Sequence, residues 1–125
     1  MKIAVIIVRV LMGLMFAFAS IVVLFKLVPQ PEQTGNVKIF MDGMAASVYM
    51  MTTIKVIELI CAVAFFTGKF VPLATVVIFP ITVNILLFHV FVEPEGLLVA
   101  ILLMIGNLFL AWHYRNKYKP LFKAV

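Results

Sequence analysis

Two opposite charges, Lys55 and Glu58, stand three residues apart inside the apolar stretch IKVIELICA. A charge at the centre of an apolar segment costs about 2.5–3.5 kcal/mol on membrane-insertion scales, so this segment tolerates both only if they face other protein and are paired. Residues i and i+3 share one face of a helix, so both charges lie on the same side. A lysine there could polarise a carbonyl group, and a carboxylate could exchange protons.

Three further polar residues, Arg9, Asn84 and His89, also interrupt apolar stretches. In antiparallel helices that rise about 1.5 Å per residue, Arg9 lies about 9 Å and Glu58 about 12 Å from the same end. We therefore predict an Arg9–Glu58 ion pair, because the planar guanidinium suits a desolvated carboxylate. By the same count Asn84 reaches the depth of Lys55, which extends the predicted network across three helices.

The predicted network has a surplus of positive charge, since Arg9 and Lys55 would face one carboxylate. Either Lys55 is neutral, or an anion or a polar ligand supplies the balance. His89 lies one turn before Glu93, where it could titrate, bond a ligand, or be a satisfied interfacial histidine. The candidate ligand-binding site or buried polar network comprises Arg9, Lys55, Glu58, Asn84 and His89. No catalytic group is assigned, and no Cys/His spacing indicates a metal site.

The composition indicates what must hold these residues. The chain has 125 residues, 66% of them hydrophobic, with a mean hydropathy of +1.24. Soluble domains are about 45–50% apolar, so we expect lipid to be the solvent. The apolar N-terminal run is longer than the core of a signal peptide and no small-residue cleavage site follows it, so we interpret it as a retained transmembrane helix. Four segments are long enough to span a bilayer: residues 3–27, 44–66, 71–92 and 96–114.

Short breaks between the last three segments predict that they pack as antiparallel neighbours. We therefore predict a single all-α domain over residues 1–125. It is a polytopic membrane protein, built as an antiparallel four-helix transmembrane bundle. The one long connection, 29–43, is predicted as an outer loop whose second half lies along the interface or extends the second helix. Basic residues without acids cluster at one end of the bundle: Lys2, Lys69, Arg115, Lys117, Lys119 and Lys123.

This charge asymmetry predicts that both termini, including the basic tail 115–125, are cytoplasmic in a bacterial inner membrane. The net charge of +5 does not indicate nucleic acid as a partner, because the basic residues sit at helix ends facing a lipid bilayer.

Four stretches together resemble the DoxX family of small bacterial membrane proteins: RVLMGLMFAFAS, KVIELICAVAFFTGKFVPLA, FPITVNILLFHVFVEPEGL and WHYRNKYKPLF. The resemblance covers nearly the whole chain, and the K-x-x-E and P-x-x-V-N-I-x-x-F-H patterns match closely. It implies four transmembrane helices and a role beside quinone-linked or other membrane redox complexes, with more distant relatives linked to membrane-protein assembly. The positions that match the family pattern are Arg9, Lys55, Glu58, Asn84 and His89.

Two functional hypotheses follow. In the first, the chain is a non-enzymatic subunit of a membrane redox or quinone-linked complex, and its buried polar site binds a lipid-soluble ligand such as a quinone or a lipid. It predicts a cavity that reaches Lys55 and Asn84. In the second, it is a structural scaffold or assembly factor whose charges only fix the fold, with a closed interior and a direct Arg9–Glu58 pair. A redox partner protein or a second copy of the chain is the candidate partner, and no haem, iron–sulfur or nucleotide motif identifies a cofactor.

Overall fold

Four long helices form the body of the protein. The computed structural model describes residues 2–27 and 32–124. These residues form helices joined by short connections and contain no β-strand, which confirms the all-α prediction. The long helices are α1 (Lys2–Leu24), α3 (Met50–Thr67), α4 (Val71–Phe91) and α5 (Leu97–His113). Among the described residues, these four helices are long and apolar enough to cross a membrane. The fourth span also includes the 3-10 turn Pro94–Gly96 before α5.

The four helices pack as a ring, with α1 beside α3, α3 beside α4, α4 beside α5 and α5 back against α1. The α1–α3 contact is the most extensive. Successive helices in the ring run in opposite directions, so each end of the bundle gathers two helix starts and two helix ends. We call the end where α1 begins and α5 finishes the tail end, and the opposite end the α2 end.

Glycine allows α1 to approach its neighbours closely. Gly13 is buried, and a Cβ atom there would lie 3.1 Å from Cε1 of Phe66 and 3.3 Å from Cβ of Phe65 on α3. Where α5 packs on α1, a Cβ at Gly106 would lie 3.2 Å from Sδ of Met12. Small residues at such crossings bring backbones together and increase the dispersion contact that stabilises bundles in lipid.

Hydroxyl groups inside the bundle are satisfied within their own helices. Ser20 donates to the carbonyl of Phe16 at 2.6 Å, and Thr75 donates to the carbonyl of Val71 at 2.7 Å. Thr82 does the same toward Ile78 at 3.1 Å. These i to i−4 bonds remove the cost of burying a hydroxyl, so none of the three needs an external partner.

The connection between α1 and α3 contains a helix of its own, α2 (Gly35–Ala46). Helix α3 therefore begins at Met50, whereas the sequence placed the start of that span at residue 44. Val48 separates the two helices because it adopts a left-handed conformation, φ 72°, which a β-branched residue rarely takes. The Ser47 hydroxyl accepts a hydrogen bond at 3.0 Å from the amide of Met50, the first residue of α3. Residues 29–31 of the predicted outer loop lie outside the described residues.

The basic tail folds back onto the bundle, where only a cytoplasmic extension was predicted. Its described part contains α6 (Arg115–Tyr118) and a 3-10 segment, Lys119–Phe122, and Val125 lies outside the described residues. The Tyr118 hydroxyl donates to the carbonyl of Pro72 in the first turn of α4 at 2.7 Å. Burial raises the pKa of the Tyr118 phenol, so this donor keeps its proton at neutral pH.

The close α1–α3 contact leads to a stability prediction. Gly13→Leu should lower the free energy of unfolding by about 1–3 kcal/mol, because the added side chain must displace Phe65 and Phe66. Gly43→Leu in α2 is the matched control, since a Cβ there meets nothing within 4 Å. Thermal unfolding of the detergent-solubilised variants measures the difference, and equal melting temperatures would contradict the packing described above.

Candidate functional site

A cavity of about 280 Å³ lies in the half of the bundle nearest α2. All four long helices and α2 contribute to its wall, and most of the lining side chains are apolar. The polar exceptions are Lys55, Glu58, Asn84 and His89. We call this cavity the Lys55 pocket. It brings together four of the five site residues predicted from the sequence, and the fifth, Arg9, lies elsewhere.

Lys55 and Glu58 form a direct ion pair on the wall of the pocket. Nζ of Lys55 lies 3.2 Å from Oε2 and 3.5 Å from Oε1 of Glu58. The Glu58 side chain is only 2% exposed and that of Lys55 16%, so the carboxylate lies at the base of the pair and the ammonium nearer the opening. A carboxylate so deeply buried is destabilising unless a cation or hydrogen bonds compensate it, and Lys55 supplies both.

The structure does not form the predicted Arg9–Glu58 ion pair. The Arg9 guanidinium instead packs against the turn between α3 and α4, where a Cβ at Gly68 would lie 2.7 Å from one guanidinium nitrogen. The physical reason is direction. Helical side chains lean toward the N-terminus of their helix, so in antiparallel neighbours Arg9 leans toward the tail end and Glu58 toward the α2 end.

This arrangement removes the charge surplus that the sequence indicated. The pocket contains one cation and one anion, Lys55 and Glu58, and the second cation, Arg9, reaches toward the tail end of the bundle. Long basic side chains commonly extend in this way toward the polar end of an apolar segment. The Nε atom of Arg9 is buried without a hydrogen-bond partner among the described residues.

Asn84 lines the pocket at its edge, and its side chain is exposed. It also lines a neighbouring cleft of about 350 Å³ between α3 and α4, which includes Pro80 and Met50. We call this the side cleft. The two cavities share Phe40, Met44, Ile54, Ile81 and Asn84. Between Asn84 and Lys55, the structure places no hydrogen bond, so the predicted contact of these two side chains is replaced by a shared wall.

His89 completes the polar part of the pocket near the end of α4. Its Nδ1 lies 2.9 Å from the carbonyl oxygen of Glu93. Since a carbonyl oxygen only accepts, Nδ1 is the donor in this contact, and Nε2 is the ring nitrogen left without this bond. The ring packs so closely on Gly96 that a Cβ atom there would overlap with Cε1 of His89. Lys26, Glu93 and Glu95, which lie near the same end of the bundle, form no ion pair within the described residues.

Helix α2 covers the pocket, and its contribution was not predicted. Phe40, Met41 and Met44 line the cavity, and the Phe40 ring lies 4.8 Å from that of Phe88 on α4. The signal was present in the spacing, because positions i, i+1 and i+4 form one apolar face of a helix. No residue of α2 is itself buried, so the helix is a cover rather than a part of the core.

Asn107 links α5 to α4 outside this pocket. Its amide nitrogen donates to the carbonyl of Thr75 at 3.2 Å. Its carbonyl oxygen is buried without a partner among the described residues. Within residues 2–27 and 32–124, no group of three or more His, Cys, Asp or Glu side chains could hold a metal ion.

Comparison with known protein families, with curated proteins and with solved structures finds no match for this chain. The family resemblance drawn from the quoted stretches therefore stays a prediction, and the site has to be interpreted from its own geometry.

The Lys55–Glu58 pair leads to a second prediction. Lys55→Met should lower the free energy of unfolding by about 3 kcal/mol, because it leaves a buried carboxylate without its cation. The double variant Lys55→Met/Glu58→Leu should recover most of that loss, since an apolar pair of similar volume needs no compensation. Denaturant unfolding of the three proteins measures both steps.

The exposed pair Lys38–Asp42, with Nζ and Oδ2 2.7 Å apart, provides the control. Lys38→Met should cost no more than about 0.5 kcal/mol, because solvent screens that pair. If Lys55→Met is as mild as Lys38→Met, or the double variant is no more stable than the single one, the buried pair does not stabilise the bundle.

Proposed function

We propose that this chain is a multi-pass membrane protein of the DoxX type, a non-enzymatic subunit that binds a lipid-soluble ligand in the Lys55 pocket. The ligand has an apolar body and a polar head that accepts hydrogen bonds, and a membrane quinone fits this chemistry. The observation that carries the proposal is the cavity itself. Each long helix and α2 contribute apolar side chains to its wall, and the Lys55–Glu58 pair is the charged part of that wall. Small-molecule sites have this composition, a few polar groups within a mostly apolar lining.

The polar groups of the pocket suit a carbonyl-bearing head. The Lys55 ammonium, which is nearer the opening than Glu58, can donate to a carbonyl oxygen while it keeps its ion pair. The exposed Asn84 amide offers a second donor at the edge of the cavity. Glu58 is then the group that exchanges a proton with a reduced ligand, through Lys55 or directly. A redox partner protein would accept the electrons when the reduced ligand is oxidised, and would supply them in the reverse direction.

The side cleft supports a ligand that arrives from lipid. It shares five wall residues with the Lys55 pocket, and it is lined by α3 and α4 together with Phe40 and Met44 of α2. On the outer surface of those helices are exposed large apolar side chains such as Val56, Ile60 and Val77. A membrane-dissolved molecule could therefore pass between the helices into the pocket without crossing water.

The scaffold hypothesis receives less support from the same geometry. It required a closed interior with Arg9 paired directly to Glu58, whereas Arg9 packs at Gly68 and a cavity adjoins Glu58. The Lys55–Glu58 pair is compatible with a purely structural role, so ligand binding decides between the two.

We further propose that the tail end faces the cytoplasm of a bacterial inner membrane. The support is the distribution of charge: Lys2, Lys69 and the basic residues of the tail lie at this end without an acid, whereas Glu32, Asp42, Glu93 and Glu95 belong to the α2 end. Basic residues close to helix ends favour the cytoplasmic side.

Orientation can be tested with single cysteines. After Cys61→Ala, cysteines at Lys119 and Lys38 should differ in intact cells, because a membrane-impermeant maleimide reaches only the outer side. Lys38→Cys, on α2, should be labelled, and Lys119→Cys only after the membrane is permeabilised. Labelling of Lys119→Cys in intact cells would reverse the proposed orientation, and labelling of neither would contradict an outer position for α2.

Ligand binding tests the proposed function directly. A short-chain quinone, decylubiquinone, should bind the purified protein, and Asn84→Leu should weaken its affinity about ten-fold, the usual cost of a lost hydrogen bond to a polar head. Because Asn84 is exposed, this variant should fold normally. The double variant Lys55→Met/Glu58→Leu should weaken binding further. Equilibrium dialysis measures both.

Asn116→Leu on α6 is the matched control, since that asparagine is exposed and distant from the pocket. Quinone affinity that is unchanged in both Asn84→Leu and the double variant would reject the pocket as the site and return the scaffold hypothesis to first place.

A further inference from the structure

A second cavity, of about 270 Å³, lies at the tail end and shares no residue with the Lys55 pocket. Helices α4 and α5 form its sides and the tail forms its rim. We call it the tail slot. Its apolar lining includes Val76, Phe79, Leu108, Ala111, Leu121 and Phe122. Asn107 is also part of the lining, but it is fully buried and already bonded to Thr75, so the accessible wall is hydrocarbon.

The tail is held in position over this slot by specific contacts. The Tyr118 hydroxyl bonds the Pro72 carbonyl at 2.7 Å, which fixes the middle of the tail to the start of α4. Arg115 donates to the Trp112 carbonyl at 2.8 Å and stacks 4.4 Å over the Trp112 ring. Beyond these anchors, Leu121 is 74% and Phe122 85% exposed although both line the slot. The rim is therefore open, and two large apolar side chains are exposed there.

Three exposed lysines are neighbours, in the chain, of residues that line the open rim. Lys117 and Lys119 flank Tyr118 in the chain, Lys123 follows Phe122, and all three lysines are exposed. None of them lies within ion-pair distance of an acid among the described residues, and residues 97–124 contain no Asp or Glu. Such a cluster attracts phosphate groups at the surface of an anionic membrane.

We propose that the tail slot binds one anionic phospholipid, with an acyl chain between α4 and α5 and the phosphate among Lys117, Lys119 and Lys123. Only a molecule that joins a hydrocarbon chain to an anionic head complements both features. A free phosphate would engage the lysines alone, and a neutral lipid the slot alone. The inference shares with the proposed function only the membrane location, and it does not depend on a ligand in the Lys55 pocket.

Native mass spectrometry can test this with two lipids of identical chains, dioleoyl phosphatidylglycerol and dioleoyl phosphatidylcholine, in equal amounts. The wild-type protein should retain one phosphatidylglycerol at least about 30-fold more strongly than phosphatidylcholine, as expected for two or three lysines near one phosphate. Inorganic phosphate should not compete. Equal retention of the two lipids, or displacement by phosphate, would overturn the proposal.

Two pairs of variants separate the slot from general attraction. Lys117→Gln/Lys119→Gln should abolish the preference, whereas Lys2→Gln/Lys69→Gln, an equal charge change at the same end, should keep it. Ala111→Phe should fill the slot and reduce retention of both lipids, whereas Ala19→Phe in the Lys55 pocket should not. Because Ala111→Phe could disturb folding, the exposed Phe122→Ala provides a second change at the rim and should also reduce retention.

Two results with these variants would contradict the proposed lipid site. If both charge variants lose the preference to the same extent, the attraction is a general property of this end of the molecule and no lipid site exists there. If neither Ala111→Phe nor Phe122→Ala alters retention in folded protein, the lipid binds elsewhere.

Discussion

A buried carboxylate with one available cation determines much of this structure. Glu58 is almost fully enclosed, and Lys55, one turn away on the same helix, is the cation that contacts it. Because both partners belong to α3, the pair forms without a charged side chain from another helix. The surrounding helices supply the walls of the cavity that adjoins the pair.

Self-sufficiency of the pair explains why the rest of the polar network is dispersed. Lys55 already compensates the Glu58 carboxylate, so Arg9 is not needed there. The Arg9 side chain points toward the N-terminus of α1, at the tail end, and packs at Gly68. His89 is occupied by the Glu93 carbonyl, and Asn84 remains exposed at the mouth of the side cleft. The polar residues thus line a space in common instead of bonding one another.

The periodic and compositional features of the sequence were sufficient for the long helices, their apolar character and the shared face of Lys55 and Glu58. Three features were beyond them. Arg9 and Glu58 match in Cα height along their helices, but the direction of side chains in antiparallel helices separates their charged groups. The boundary at Val48 depends on a left-handed valine, which no residue preference indicates. The docking of Tyr118 on Pro72 joins residues 46 positions apart, and only the folded ring brings them together.

If the Lys55 pocket binds a lipid-soluble ligand as proposed, the side cleft bears on the origin of the binding strength. A molecule that enters between α3 and α4 exchanges lipid tails for side chains of equal polarity, so its transfer gains little from the hydrophobic effect. The apolar walls then select the shape and length of the guest, while the few polar groups supply nearly all of the affinity. Such a site would discriminate sharply between head groups and would be tolerant of changes in the tail.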